Sequence, residues 1–487
     1  MLVARGRPEA WSLGTRALGP LVVRAIAPLA ALLLEGWGAA LGALLIQEFG
    51  LRLAIRVTQL CQRTSVERIF LGAYLLRVLL IVPTHSIAKL SDGNGALFRD
   101  DYTNDLVGSW MARIAGGEGI SIFTGHQHLL EGLYPYLIML LYGAFGFVPL
   151  LPKLLNAVIA ALSAVLIFEI GRRAFSRPVA LLAAVGVALI PSLVIWSIAA
   201  LKEPMVLCAA LVGLLCLQRV ADLPTGSKRS LDAIVVLVAA VAVSLDLRAT
   251  LALILLALLG LVLLARSRYR PHPWQLALSS LVLLILVVGA LSLIRSRLSD
   301  RPLSGVAEDV VLQIRHRRAQ EAASARSQIR PELDVGPASA SSALPEAEAA
   351  SDAAPFSIKD DIVDPLGFAL LAPAPWQART KMELGASLEM LLVWYGLLAA
   401  SLLAWPPRDG QRLFVACLIL YALGNWVVLA VSEGNLGNLV RHRLTLAPAL
   451  LLLGTAGLEH LWQRLGRRWL PVRPRLIDPR PWRRMAA

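Results

Sequence analysis

The chain has 487 residues, of which 57% are apolar and only 16% charged, and it carries a net charge of +14. A soluble globular chain carries about 25% charged residues; here the shortfall lies in several apolar runs, each near the roughly 20 residues of a bilayer-crossing helix. The runs lack the two-residue alternation of barrel strands, and the basic residues sit between them, which reads as membrane topology and excludes nucleic-acid binding as the reason for the charge.

Residues 1–67 form an N-terminal segment. Its apolar run 26–46 is either one extra membrane helix or a helix in the interface, because Arg24 and Arg52 flank it and Glu35 interrupts it. Core spans follow at about 68–85, 152–170, 179–197, 204–220, 231–246, 249–266, 275–294, 388–404, 413–431 and 444–463. The expected fold is therefore all-α, a polytopic helical membrane protein with about 10–11 transmembrane helices.

Four parts follow the N-terminal segment: a transmembrane core 68–294 with a first external loop 86–151, a long, partly flexible external loop 295–387, C-terminal membrane helices 388–463 and a basic cytoplasmic tail 464–487. The middle of the long loop, Pro331 to Pro355, is rich in Ala, Ser, Pro and Glu and has too few large apolar residues to bury a core.

The sidedness comes from the loop arginines. Arg52, Arg56, Arg63 and Arg68 precede the first span; Arg172, Arg173 and Arg177 follow the second; Arg219, Lys228 and Arg229 follow the fourth. Arg266, Arg268 and Arg270 follow the sixth and Arg408 and Arg412 the eighth. One alternating path puts all of these in the cytoplasm. It leaves outside the segments 86–151, 198–203, the tight Asp246–Thr250 turn, 295–387 and 432–443. The path requires that 133–148 not cross. That stretch is short and contains Pro135, Gly143 and Gly146, so it is expected as a re-entrant or interfacial helix in the first external loop. Cys61, Cys208, Cys216 and Cys417 form no CxxC pair; buried thiols are expected, and no zinc site or disulfide framework.

Three external elements carry chemistry. In the first loop, Asp100 and Asp101 precede a segment with Leu106, Trp110 and Ile114 on one helical face. Adjacent carboxylates at a membrane surface suit a general base or a cation; the alternative is a solvated acidic turn, with Asn104 capping the helix and Asp105 in its first turn. The second element is the Lys202–Glu203 pair at a span start, which read alone is a snorkelling lysine beside a carboxylate that suits the helix dipole. The third is Arg441–His442–Arg443, where external cations oppose the positive-inside trend. Arginine's planar fork fits phosphate oxygens; the alternative is snorkelling to anionic lipid heads.

The order of these pieces is that of a known group. Asp100–Asp101–Tyr102 is followed by YPYLIMLLYGAFG, LPKLLNAVIAALSAVLIFEIGRRAFSR, ALIPSLVIWSIAALKEP and a late NLVRHRLTLAPAL. The chain resembles the GT-C superfamily of integral-membrane glycosyltransferases, in particular bacterial relatives of the protein O-mannosyltransferase and aminoarabinose transferase group. The resemblance implies transfer of a sugar from a polyprenyl-phosphate-linked donor to a glycan, lipid or protein acceptor on the non-cytoplasmic face of the inner (cytoplasmic) membrane, with inversion. It implies Asp100 or Asp101 as the base, with Tyr102, Lys202, Glu203, Arg441, His442 and Arg443 binding substrate. Membrane lipids are the other expected partners; no metal ligand is identified, and a divalent metal requirement is left open. The alternative function is a glycan polymerase or ligase using undecaprenyl-pyrophosphate-linked chains. A transporter or flippase ranks below both, because few ionisable residues are expected in mid-membrane and no broken pair of spans repeats.

Overall fold

The computed structural model describes residues 10–57, 63–93, 95–117, 132–222, 227–267, 359, 363–378, 380–404, 410–433 and 436–469. Helices and short connections make up all of these, as expected for an all-α membrane protein. Among the described residues seven helices are long and apolar enough to cross a bilayer, against the 10–11 expected of the whole chain. The difference has local causes. The 68–85 run is not among the seven, 179–197 is broken, two expected spans are joined in one 39-residue stretch, and 275–294 lies outside the described residues.

The chain begins with α1 (Ala10–Glu35) and α2 (Trp37–Val57). Gly36 separates them at φ 89°, a left-handed conformation that favours glycine. Gln47 donates to the Arg24 carbonyl at 3.1 Å and Arg24 lies 3.7 Å from Glu48. The two helices therefore fold back on each other, so the run 26–46 contains the bend of a hairpin whose second arm, Trp37–Val57, is long and apolar enough to cross a bilayer.

α3 (Arg63–Asp92) returns alongside, and α6 (Leu150–Ala174) forms the central rod, 89% buried across its apolar window. The stretch between holds α4 (Arg99–Ala115) and α5 (Leu133–Phe145). Thirteen residues of α5 reach about 20 Å at 1.5 Å per residue, too short for a bilayer core. Both of its ends meet elements at one end of the bundle: Leu133 donates to Asp246, and the Phe145 carbonyl lies against Gly38 beside the α1–α2 bend. This is the placement expected of an interfacial helix.

The expected span 179–197 is two helices, α7 (Arg177–Leu189) and α8 (Pro191–Ile195). Pro191 has no N–H for the Val187 carbonyl four residues back. Arg77 of α3 supplies the donor instead, through Nη2 at 2.9 Å, while its Nε donates to Ser197 at 2.7 Å. After a short bent segment, 196–202, α9 (Glu203–Asp222) runs back along α6.

α10 (Lys228–Ser267) would be about 60 Å long if straight. It is not straight. Lys228 lies only six positions beyond Asp222, yet Arg266 donates to Val220 at the other end of α10, so the helix must fold back. It does so at Arg248, whose φ of −163° and ψ of 93° are not helical. The fold falls inside the expected Asp246–Thr250 turn.

The C-terminal part contains α11 (Asp364–Leu371), α12 (Lys381–Glu389), a π turn (Met390–Trp394), α13 (Tyr395–Ser401), α14 (Arg412–Ser432), α15 (Leu436–His442), a 3₁₀ turn (Arg443–Leu446) and α16 (Ala447–Trp469). α13 and α16 pack closely because Gly454 and Gly457 lie against Leu397 and the Ala400 carbonyl, where a Cβ would overlap. Small residues at such contacts are how helices associate in lipid, where the hydrophobic effect no longer separates helix from surroundings. The two ends of the bundle differ in charge. Lys153 and Arg172, at opposite ends of α6, are nineteen residues or about 29 Å apart. The first shares its end with Asp101, and the second its end with Arg219 and Arg266.

Candidate active site

α4 starts one residue before Asp100, so both aspartates occupy its first turn and do not precede it. Carboxylates are favourable at that end of the helix dipole. Asn104 and Asp105 fall one turn later, so Asn104 does not cap the helix; its amide donates to the Ala200 carbonyl at 2.8 Å. The helix start has no side-chain cap; Asp101 turns back to accept from Leu97 N, ahead of the helix, at 2.8 Å.

The segment 196–202 is the second wall. Its backbone makes a few turn-like hydrogen bonds, and side chains from three helices hold it as well. Asn156 of α6 donates to the carbonyls of Ala199 and Leu201 at 2.6 and 2.8 Å, Asp101 accepts from Ala200 N at 2.9 Å, and Arg77 holds Ser197. The wall delivers Trp196 and Lys202 to the site and starts α9 at Glu203.

The third wall is α15. Arg441 Nη1 donates to Asp100 Oδ2 and its Nε to Glu203 Oε1, both at 2.5 Å. Its guanidinium also lies 5.9 Å from the centre of the Trp196 ring, which packs on Phe98. One cation thus joins two carboxylates 341 and 238 positions away in sequence. Asp100 is 60% exposed, whereas Glu203 is buried and leaves its Oε2 without a hydrogen-bond partner.

The other expected residues divide. Asp101 is fully buried, turned away from the surface that Asp100 faces. Tyr102 is exposed on α4. Lys202 is half-buried; burial lowers its ammonium below the usual lysine range, Glu203 opposes this, and the charges of Arg248 and Arg441 add to it. His442 turns to Glu433, 2.6 Å away. Arg443 is buried, its Nε and Nη2 donating to the Ala369 carbonyl and its Nη1 to the Met390 sulfur. The proposed pair of arginines therefore does not converge: Arg441 faces the carboxylates and Arg443 faces α11 and the π turn, because the helix at 441 changes to 3₁₀ at 443.

Two of the residues behind the site, Lys153 and Asn156, were not singled out in the sequence, and Asp105 was read only as part of a solvated helix start; all three are buried. Tyr142 donates to Asp105 Oδ1 at 2.6 Å, and Asp105 Oδ2 has no partner. Burial and then the charge of Asp101 push the Asp105 carboxyl up to about 7. Burial and the Asp105 charge raise the phenols of Tyr134 and Tyr142, which stay O–H donors. Ionisable residues are few in mid-membrane, as expected, but Arg77 is buried inside the bundle, while Lys153 and Glu169 are buried near the two ends of α6. A polar residue within an apolar run was the available signal. Among the described residues no group of His, Cys, Asp and Glu is placed to hold a metal ion.

Residues 133–292 match the family model for dolichyl-phosphate-mannose-protein mannosyltransferases. The matched stretch contains Lys153, Asn156, Lys202 and Glu203, while Asp100, Asp101 and Arg441 lie outside it. No curated protein matches the chain.

Proposed function

We propose that this chain is a membrane glycosyltransferase of the GT-C superfamily, a reading that the family match over residues 133–292 supports, and that it moves a sugar from a polyprenyl-phosphate-linked donor to a hydroxyl of a glycan, lipid or protein acceptor on the non-cytoplasmic face. The observation that carries the proposal is Arg441 bridging Asp100 and Glu203 from three separate segments. The basic opposite end, with Arg172, Arg173, Arg219 and Arg266, supports a cytoplasmic placement of that end.

Asp100 is the better base of the adjacent pair. Its carboxylate is exposed, whereas that of Asp101 is enclosed by Leu97 N, Ala200 N and Lys153. The acceptor hydroxyl oxygen bonds to the anomeric carbon as the bond from that carbon to the phosphate oxygen breaks, which inverts the centre. The hydroxyl proton passes to Asp100, and the electron pair leaves with the polyprenyl phosphate. Arg441 and Lys202 meet the charge that grows on that phosphate, the kind of electrostatic stabilisation that acts most strongly in the transition state. In the resting arrangement Arg441 is neutralised by two carboxylates. Contact with the donor phosphate would loosen its bond to Asp100 and free the base.

Substituting Asp100→Asn and Asp101→Asn separately, and following transfer from a labelled polyprenyl-phosphate-sugar, tests the roles. Loss of a general base lowers turnover by about 10²–10⁴-fold, and that is expected for Asp100→Asn. Full turnover in this variant would remove Asp100 as the base.

A further inference from the structure

Behind Asp100 runs a buried ionic chain that the transfer step does not use. Lys153 stands in the first turn of α6 and is 1% exposed. Its ammonium lies 3.6 Å from Asp101 Oδ2 and 3.4 Å from His85 Nδ1, and it donates to the Gly95 carbonyl. On its far side His85 Nε2 meets Glu35 Oε1 at 3.0 Å, and Lys89 reaches the same oxygen at 2.8 Å. An ammonium only donates, so His85 Nδ1 is the acceptor and its ring proton sits on Nε2, directed at Glu35. The chain thus ties the α1–α2 bend, α3, the turn before α4 and the start of α6 to one carboxylate.

Two features show that the arrangement is built. Gly95 has φ +76°, and a Cβ there would overlap the His85 ring, so glycine lets the carbonyl and the ring both reach Lys153. The second is the local charge. Asp101 and Asp105 lie one turn apart on α4, both buried, with Glu203, Tyr134 and Tyr142 nearby. Among the described residues Lys153 is the buried ammonium that faces the two aspartates.

We propose that Lys153 is the positioning residue of the acidic site: its buried ammonium holds Asp101 and the Gly95 carbonyl, fixing the first turn of α4 so that Asp100 faces Arg441. The proposal rests on Asp100 being the base, but its test can be separated from that assignment. The full chain, purified in detergent, is compared as wild type, Lys153→Met, Lys153→Arg and Lys153→Met/Asp101→Asn. Each is melted at pH 5 and pH 8 and assayed for transfer from labelled polyprenyl-phosphate-mannose.

Without its partner, Asp101 is an unpaired buried carboxylate. Lys153→Met should therefore melt several degrees below wild type at pH 8, with less of a gap at pH 5, where protonation relieves the charge. His85 and Glu35 face the same ammonium, so the deciding comparison is between the single and double variants: Asp101→Asn should restore most of the loss at pH 8. Turnover in Lys153→Met should fall at least about 100-fold with the donor KM within about twofold, and Lys153→Arg should keep about a tenth or more of it. These sizes follow from loss of alignment of a catalytic group. A loss of stability that is equal at both pH values and unrelieved by Asp101→Asn overturns the proposal, as does full turnover in Lys153→Met. Retained turnover in Asp100→Asn alongside the expected melting pattern would instead remove the base assignment and leave the Lys153–Asp101 coupling standing.

Discussion

Both ends of the bundle bury carboxylates against arginines, but they draw the partners from different parts of the chain. At the basic end Glu169 is fully buried, and Arg172 and Arg173, three and four residues on, occupy both of its oxygens. That is a local, closed arrangement, the kind that secures a helix end. At the other end Arg441, Asp100 and Glu203 come from α15, α4 and α9. Among the described residues more buried acceptors lack partners there, Asp105 Oδ2, Asn156 Oδ1, Glu203 Oε2 and Glu433 Oε2, although the basic end also has one, Gln218 Oε1. A buried acceptor with no donor is costly, which marks the place where a ligand or water completes the structure. The comparison separates ion pairs made within one helix from a cluster assembled from three, which is where the proposed chemistry is placed.

The largest expected effect is at Arg441. Arg441→Ala leaves the buried Glu203 uncompensated, and breaking a buried pair in this way costs about 3–5 kcal/mol. Transfer should fall at least about 100-fold as the phosphate loses its cation. The matched change Arg173→Ala keeps Arg172 on Glu169; it should cost less than about 1 kcal/mol and leave transfer per folded molecule unchanged. Melting curves and transfer assays on the two purified variants decide it. Equal losses of turnover at the two ends would erase the distinction.

The next effect is a pH dependence at the site end. The Asp105 carboxyl is raised to about 7 in the folded chain, above the value near 3.8 it would have if unperturbed. The folded state therefore binds the Asp105 proton more tightly, and this contribution to stability is present at low pH and lost as pH rises towards and through about 7. At about 1.4 kcal/mol per pH unit the loss is on the order of 4 kcal/mol at most. Asp105→Asn keeps an oxygen for the Tyr142 hydroxyl and removes the titration. Its melting temperature should fall less between pH 5 and pH 8 than that of the wild type. An unchanged slope would place the dependence elsewhere.

Much of this fold is visible in the residues alone, for identifiable reasons. Apolar runs give the helices, and loop arginines put Asp100, Lys202, Glu203 and Arg441 at one end. The short, glycine- and proline-containing 133–148 stretch, kept out of the crossings for charge reasons, is a short helix at that end. What could not be read is how the helices touch. Pro191 signals a break, but not that Arg77, 114 positions earlier, donates to the freed carbonyl. Lys153 and Asn156 stand in a run whose apolar neighbours suggest a plain span, and their partners come from α3, α4 and the 196–202 segment. The hairpin at Gly36 was hidden because its bend falls inside the apolar run 26–46, with only Glu35 and Gly36 to mark it.

Arg443 offers the smallest expected effect and the sharpest test of the contrast, because proximity in sequence pairs it with Arg441 whereas the fold separates them. Its guanidinium is buried and donates to the Ala369 carbonyl and the Met390 sulfur, with no carboxylate in ion-pair contact among the described residues. Beside it lies a cavity lined by Ser192, Glu389, Met390 and Trp394, and by none of the Asp100, Glu203 and Arg441 group. Glu389 is already occupied by Ser192 and the Trp394 indole. Arg443→Met removes a buried cation and substitutes an apolar chain of adaptable shape. Replacing buried charge with a packed apolar side chain is often nearly neutral, so a change within about 1.5 kcal/mol is expected, with the donor KM and turnover close to wild type. A large rise in donor KM in a protein that still melts normally would bring Arg443 back to the phosphate and make the arginines a clamp; an unchanged KM leaves that task to Arg441 and Lys202.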